Sequence, residues 1–153
     1  MTTRVVAGAF VSFAILLAAA ENPGISADEI LALVNRSRVR SAVPPLRKDL
    51  RLTRAAQARA DDMAKRAYFA HTSPSGKTPW DFMEEAHYSY ERAGENLATG
   101  QRNAEEVQRS WLRSPAHRAN QLNRRFTETG IGIARVATGV VVVQLFASPS
   151  RTD

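Results

Sequence analysis

His71, Glu95 and His117 are the residues of this sequence whose types and spacing could do chemistry together. Two neutral imidazoles and a carboxylate can hold a divalent, zinc-like ion and leave a position for water. Without a metal, the same groups could act as acid and base. Each sits beside a helix boundary or turn, in Phe69-Ala70-His71-Thr72-Ser73-Pro74, Ala93-Gly94-Glu95-Asn96-Leu97-Ala98 and Ser114-Pro115-Ala116-His117-Arg118-Ala119-Asn120. Each also has an ordinary explanation. His71 follows a helix whose C-terminal dipole favours imidazolium. His117 falls in the first turn of a short helix, and Glu95 could bond amides of its own turn. His87, a third imidazole at a short helix end, is read as surface.

Other chemistries are absent. The chain has no cysteine, which excludes thiolate nucleophiles, thiolate metal sites and thiol redox chemistry. No nucleophile elbow, phosphate-binding glycine loop, dinucleotide fingerprint or His-Glu-x-x-His is present. The pairs Asp61-Asp62, Glu84-Glu85 and Glu105-Glu106 point in diverging directions on their helices and read as solvated surface.

The elements that must position the three residues follow from caps and periodicity. Ser26 with Glu29 makes a capping box, and Ile30, Leu33 and Val34 form the stripe of a helix ending near Arg40. Pro44-Pro45 forces a connector. A second helix runs from about Asp49 to Ala67, with Leu52, Ala56, Ala60, Met63 and Ala67 on its apolar face. His71 to Lys77 is a turn-rich loop. Thr78 and Pro79 start a short helix, and Tyr88 to Gly94 is expected to be irregular. Asn103 opens a fourth helix burying Val107, Trp111 and Leu112. Ser114-Pro115 starts another through Asn120. Thr129–Ala134 and Val140–Phe146 read as strands joined near Thr138-Gly139. Helices with a terminal hairpin indicate an α+β or layered α/β/α domain.

At 153 residues, one domain is expected. Arg4, the apolar run Val5–Leu17 and Ala18-Ala19-Ala20 read as a cleaved signal peptide over residues 1–20. An uncleaved anchor is the alternative, although the run is shorter than the roughly 20 residues a spanning helix wants. Residues 21–29 are then a leader and 30–148 the domain. The formal charge is +6, falling to +5 without residues 1–20, which remove Arg4 and no acid. Outside a cell this favours contact with anionic lipid or wall polymer. Arg36, Arg38, Arg40, Arg47, Arg51, Arg54 and Arg59 alternate with apolar residues and read as solvated helix faces. No interleaved aromatics suggest nucleic acid.

Six segments, in order, resemble the CAP superfamily of cysteine-rich secretory, antigen 5 and pathogenesis-related proteins, in its short, cysteine-free bacterial branch. They are Leu33-Val34-Asn35-Arg36-Ser37-Arg38, the His71 segment, Gly94-Glu95-Asn96-Leu97-Ala98, Trp111 through Asn120, Phe126-Thr127-Glu128-Thr129-Gly130-Ile131-Gly132 and Gln144-Leu145-Phe146. The resemblance implies an α-β-α sandwich with a central antiparallel sheet and an open groove lined by two histidines and two glutamates, where some members bind a divalent cation. His71, Glu95 and His117 match three of the four. No acid lies between Trp111 and His117, so the second glutamate is missing. With the signal-peptide reading, this leads us to expect a secreted or envelope protein, monomeric, whose groove takes a lipid, a peptide or a metal such as zinc held by His71 and His117. It leaves catalysis open. The rivals are a metal-dependent hydrolase in which Glu95 activates water, and an envelope-associated module binding anionic lipid or wall polymer.

Overall fold

The computed structural model describes residues 24–150, so the segment expected to be a signal peptide lies outside the described residues. Helix α1 (Ala27–Arg40) starts where the Ser26 hydroxyl accepts from the Glu29 amide. A two-residue strand β1 (Arg47–Lys48) precedes α2 (Leu50–Arg66), which Asp49 caps by accepting from the amides of Arg51 and Leu52. Then come α3 (Pro79–Glu85) and β2 (Tyr90–Thr99), followed by α4 (Ala104–Arg113) and α5 (Pro115–Gln121). The hairpin of β3 (Glu128–Val136) and β4 (Gly139–Pro149) completes the domain.

The strands form one sheet in the order β1-β3-β4-β2. The three long strands pair antiparallel, and β1 joins β3 in parallel. Side chains alternate across a strand, and the alternation along β4 divides the core in two. Val143, Leu145 and Leu97 of β2 meet Leu52, Ala56, Met63 and Phe82 from α2 and α3. Val142, Phe146 and Ala98 meet Ile30, Val34, Val107 and Trp111 from α1 and α4. This is an α+β domain with a helical layer on each face of the sheet.

The α2 layer sits very close to β3. A Cβ at Gly130 would lie 2.1 Å from the Leu52 carbonyl carbon, and one at Gly132 would lie 2.3 Å from that of Ala56. Only hydrogen fits there, so the two glycines set how deeply α2 approaches the sheet.

Three expectations need correction. Tyr88–Gly94 is not wholly irregular, because β2 starts at Tyr90. No residue of it before Thr99 is β-branched, and it is a strand because it pairs along β4 from Thr99–Val141 to Tyr90–Pro149. Arg38 and Arg59 are not solvated; both are 0% exposed. Arg38 donates to the carbonyls of Pro44, Gln121, Asn123 and Phe126, tying α1 to the α5–β3 loop; burial lowers its pKa. Finally, Ala67 is an exposed left-handed cap (φ 52°) and Leu112 is only half-buried.

Substituting Gly130→Ala or Gly132→Ala should cost at least about 2 kcal/mol in denaturant unfolding, because backbone must move. Gly24→Ala, whose Cβ would meet only Arg135 at 3.6 Å, should stay within roughly 0.5 kcal/mol.

Candidate functional site

Glu95 lies on β2 with its side chain toward α2, in the alternation that also turns Leu97 that way. There it meets Arg59, one turn after Ala55 and Ala56 on the buried face of α2. Arg59 Nε donates to Glu95 Oε2 at 2.6 Å and Nη2 to Oε1 at 3.3 Å. The side chains of this pair are 0% and 2% exposed. The other guanidinium contacts are the Ala70 carbonyl at 2.8 Å and the Tyr68 hydroxyl at 3.2 Å. Tyr68 in turn donates to Asp62 at 2.6 Å. Burial and that carboxylate push the Tyr68 phenol up to about 12. Arg59 therefore does two things. It neutralises Glu95, and it holds the Tyr68–Ala70 segment that delivers His71.

His71 is exposed, and its Nδ1 stands 2.7 Å from Glu95 Oε1. In the neutral ring, Nδ1–H donating to the carboxylate leaves Nε2 bare and turned away from Glu95.

The opposite face of β2 carries Asn96, whose amide donates to the His117 carbonyl at 3.0 Å. Asn120, on the same helix as His117, donates to the Glu95 carbonyl at 3.2 Å and to Asn96 Oδ1 at 2.9 Å. These bonds dock α5 onto the strand edge. Gly94 leaves room for the docking, since a Cβ there would lie 3.0 Å from Phe126 and 3.3 Å from Asn120 Oδ1. Ser114 is used as the cap of α5, accepting from the His117 amide. The two histidines thus approach the β2 edge from opposite layers. Burial lowers the His117 pKa, and the charge of His71 lowers it further.

The structure joins His71 directly to Glu95 and brings His117 within electrostatic range of His71. It does not assemble three metal ligands. Among the described residues, no group of three or more His, Asp or Glu side chains is arranged to hold an ion. Glu95 has both oxygens engaged, so its place is behind His71, as the carboxylate that orients an imidazole. His87 is exposed and lines a second cleft with Trp80 and Tyr88.

Beside Glu95 opens a cleft of about 300 Å³, lined by His71, Thr72, Thr78, Pro79, Trp80, Ala93, Gly94 and Glu95. Asp81 braces its wall by accepting from the Thr78 amide and hydroxyl, which holds its own pKa down. Trp80 is 37% exposed and packs at a tilt against Tyr90, with ring centroids 6.1 Å apart.

Sequence reasoning missed Arg59 and Trp80. The first had a signal: the steps Leu52, Ala56, Arg59 and Met63 put an arginine on the apolar stripe itself.

The chain belongs to the cysteine-rich secretory protein (CAP) family, whose model matches residues 31–146. It is 39% identical over 118 residues to the uncharacterized protein YkwD of Bacillus subtilis, covering 77% of this chain and 45% of that protein. The uncharacterized membrane protein YlbC of the same organism is 33% identical over 72% of this chain and 32% of its own length. The chain therefore spans less than half the length of these curated relatives. An extracellular SCP-domain protein of Bacillus anthracis superposes with a TM-score of 0.70 at 32% identity, covering 78% of this chain and 39% of that one. An outer surface protein of Borrelia burgdorferi shares the fold, with a TM-score of 0.74 at 22% identity over 83% of this chain and 98% of its own.

Glu95→Gln leaves Arg59 buried without its counter-charge and should cost about 3–5 kcal/mol of stability, read by denaturant unfolding. In metal-free protein, His117 should titrate below the ordinary histidine midpoint by NMR. His71→Ala should raise that midpoint only part of the way, because burial is the larger cause. A depressed imidazole pKa means the unfolded chain takes the proton first. The His117 contribution to stability is therefore intact above about pH 6.5 and is lost as pH falls toward the folded midpoint. His117→Gln should flatten that acid-side slope.

Proposed function

We propose that this chain is a binding domain working outside the cytoplasm, whose site at the β2 edge holds a divalent cation of the zinc class between His71 and His117. The observation that carries the reading is the condition of His71. Its Nδ1 is engaged by Glu95 at 2.7 Å, and a histidine so oriented presents a basic Nε2 to a metal. His117 supplies a second imidazole whose lowered pKa keeps it neutral and able to ligate near neutral pH. Such a cation would be completed by solvent or by a ligand lying in the adjoining cleft, and it would offer Lewis acidity to that ligand's oxygen.

Binding is favoured over hydrolysis by the state of Glu95. A general base must reach a water with a free lone pair, and this carboxylate spends its oxygens on Arg59 and His71 inside the domain. Placement outside the cytoplasm is supported by the extracellular SCP-domain relative of Bacillus anthracis. Among the described residues, no helix is long and apolar enough to cross a membrane.

Calorimetric titration of zinc tests the reading. A single site should be seen in the parent chain and lost in His71→Ala and in His117→Ala, both of which leave the Arg59–Glu95 pair in place. Equal heats in the three proteins would dismiss it. A peptide and ester library should show no turnover with zinc bound; turnover abolished by a folded Glu95→Gln variant would restore the hydrolase.

A further inference from the structure

The outer edge of β2 is closed along only part of its length. β2 pairs with β4 on one side and, among the described residues, with no strand on the other. The carbonyls of Glu95 and Leu97 are nevertheless satisfied there, by Asn120 at 3.2 Å and by the Trp111 indole at 2.9 Å. Alternation in an antiparallel ladder then directs the N–H and C=O of Ala93 to the same outer side. On the inner side, Ala147 opposite Ala93 turns its carbonyl to the Thr127 amide, away from β2. No backbone or side-chain hydrogen bond covers the outer edge at Ala93 among the described residues.

Ala93 also lines two clefts at once. One is the 300 Å³ cleft of His71 and Trp80 on the α2–α3 face. The other, of about 500 Å³, lies on the α5 face and is lined with Arg92, Asn120, Asn123, Arg125 and Phe126. Arg92 and Arg125 form no salt bridge and donate no side-chain hydrogen bond among the described residues. Their backbones are fixed next to each other, because Ser148, the β4 partner of Arg92, donates its hydroxyl to the Arg125 carbonyl.

We propose that the Ala93 edge of β2 is a docking site for an extended peptide that adds a strand there and presents a carboxylate to Arg92 and Arg125. Open backbone groups supply the affinity of an added strand, and pockets for alternate side chains supply its specificity. An extended peptide sends successive side chains to opposite faces, and the clefts on the two faces of β2 meet at Ala93. The unpaired arginines fix the charge of the occupant, since guanidinium forks recognise carboxylates in a bidentate manner. The carboxylate can be a chain terminus or an acidic side chain. This docking uses residues other than the imidazoles, so it extends the cation-binding reading without depending on metal.

The test is selection from a random octapeptide library with free C-termini against the folded domain, followed by affinity measurement of an enriched peptide. Ala93→Pro removes the outward N–H at an edge position where proline is tolerated, and should weaken binding roughly tenfold. The surface double reversal Arg92→Glu with Arg125→Glu should weaken it by at least about tenfold and invert its salt dependence, because the new carboxylates repel that of the peptide. Hydrogen exchange at Ala93 should slow in the complex. Amidating the peptide's C-terminus separates the two sources: lost binding identifies a terminal carboxylate, and retained binding identifies an acidic side chain. No enrichment, or enriched peptides that bind both variants as they bind the parent, would overturn the proposal. Zinc titration of the same variants keeps the two readings apart, because their imidazole site is untouched.

Discussion

The ion pair between Arg59 and Glu95 is the constraint on which the site depends. Two charges with side chains 0% and 2% exposed are tolerable only when geometry and hydrogen bonding offset the loss of water. Here the offset is thorough. The guanidinium meets both carboxylate oxygens, a carbonyl and a phenol, and the carboxylate also meets His71. The pair locks α2 to β2 across the sheet and draws in the segment that carries the first histidine. Losing either partner would release the site and destabilise the core together.

Depth of packing makes this pair possible. Gly130 and Gly132 let the α2 backbone sit almost on β3, which brings Arg59 within reach of a strand two positions away in the sheet order. On the other face, Gly94 gives Phe126 and Asn120 the room to dock α5 and its His117. The absence of side chains at these positions is thus as functional as the presence of the imidazoles.

Local signals were legible in the sequence. Ser26, Asn103 and Ser114-Pro115 mark helix starts by bonding their own first turns, and the β-branched run of β4 declares itself. The hairpin fell at its glycine, with Val136 paired to Gly139. What stayed hidden was non-local. β2 is a strand because β4 requires a partner, and nothing in Glu91-Arg92-Ala93-Gly94 announces that. Arg38 and Arg59 were judged by charge, although each continues an apolar helical stripe; burial was decided by carbonyls and a carboxylate supplied from distant segments. For the candidate site, the sequence offered the three residue types but not their division of labour, which turns on Arg59 occupying Glu95.

Glu95 orients His71 from behind and leaves Nε2 free. The nitrogen NMR spectrum of the metal-free protein reports this directly. The His71 ring should carry its proton on Nδ1, against the preference of free histidine for Nε2, and Nε2 should be the nitrogen that shifts when zinc is added. A proton on Nε2, or a zinc shift at Nδ1, would contradict the account.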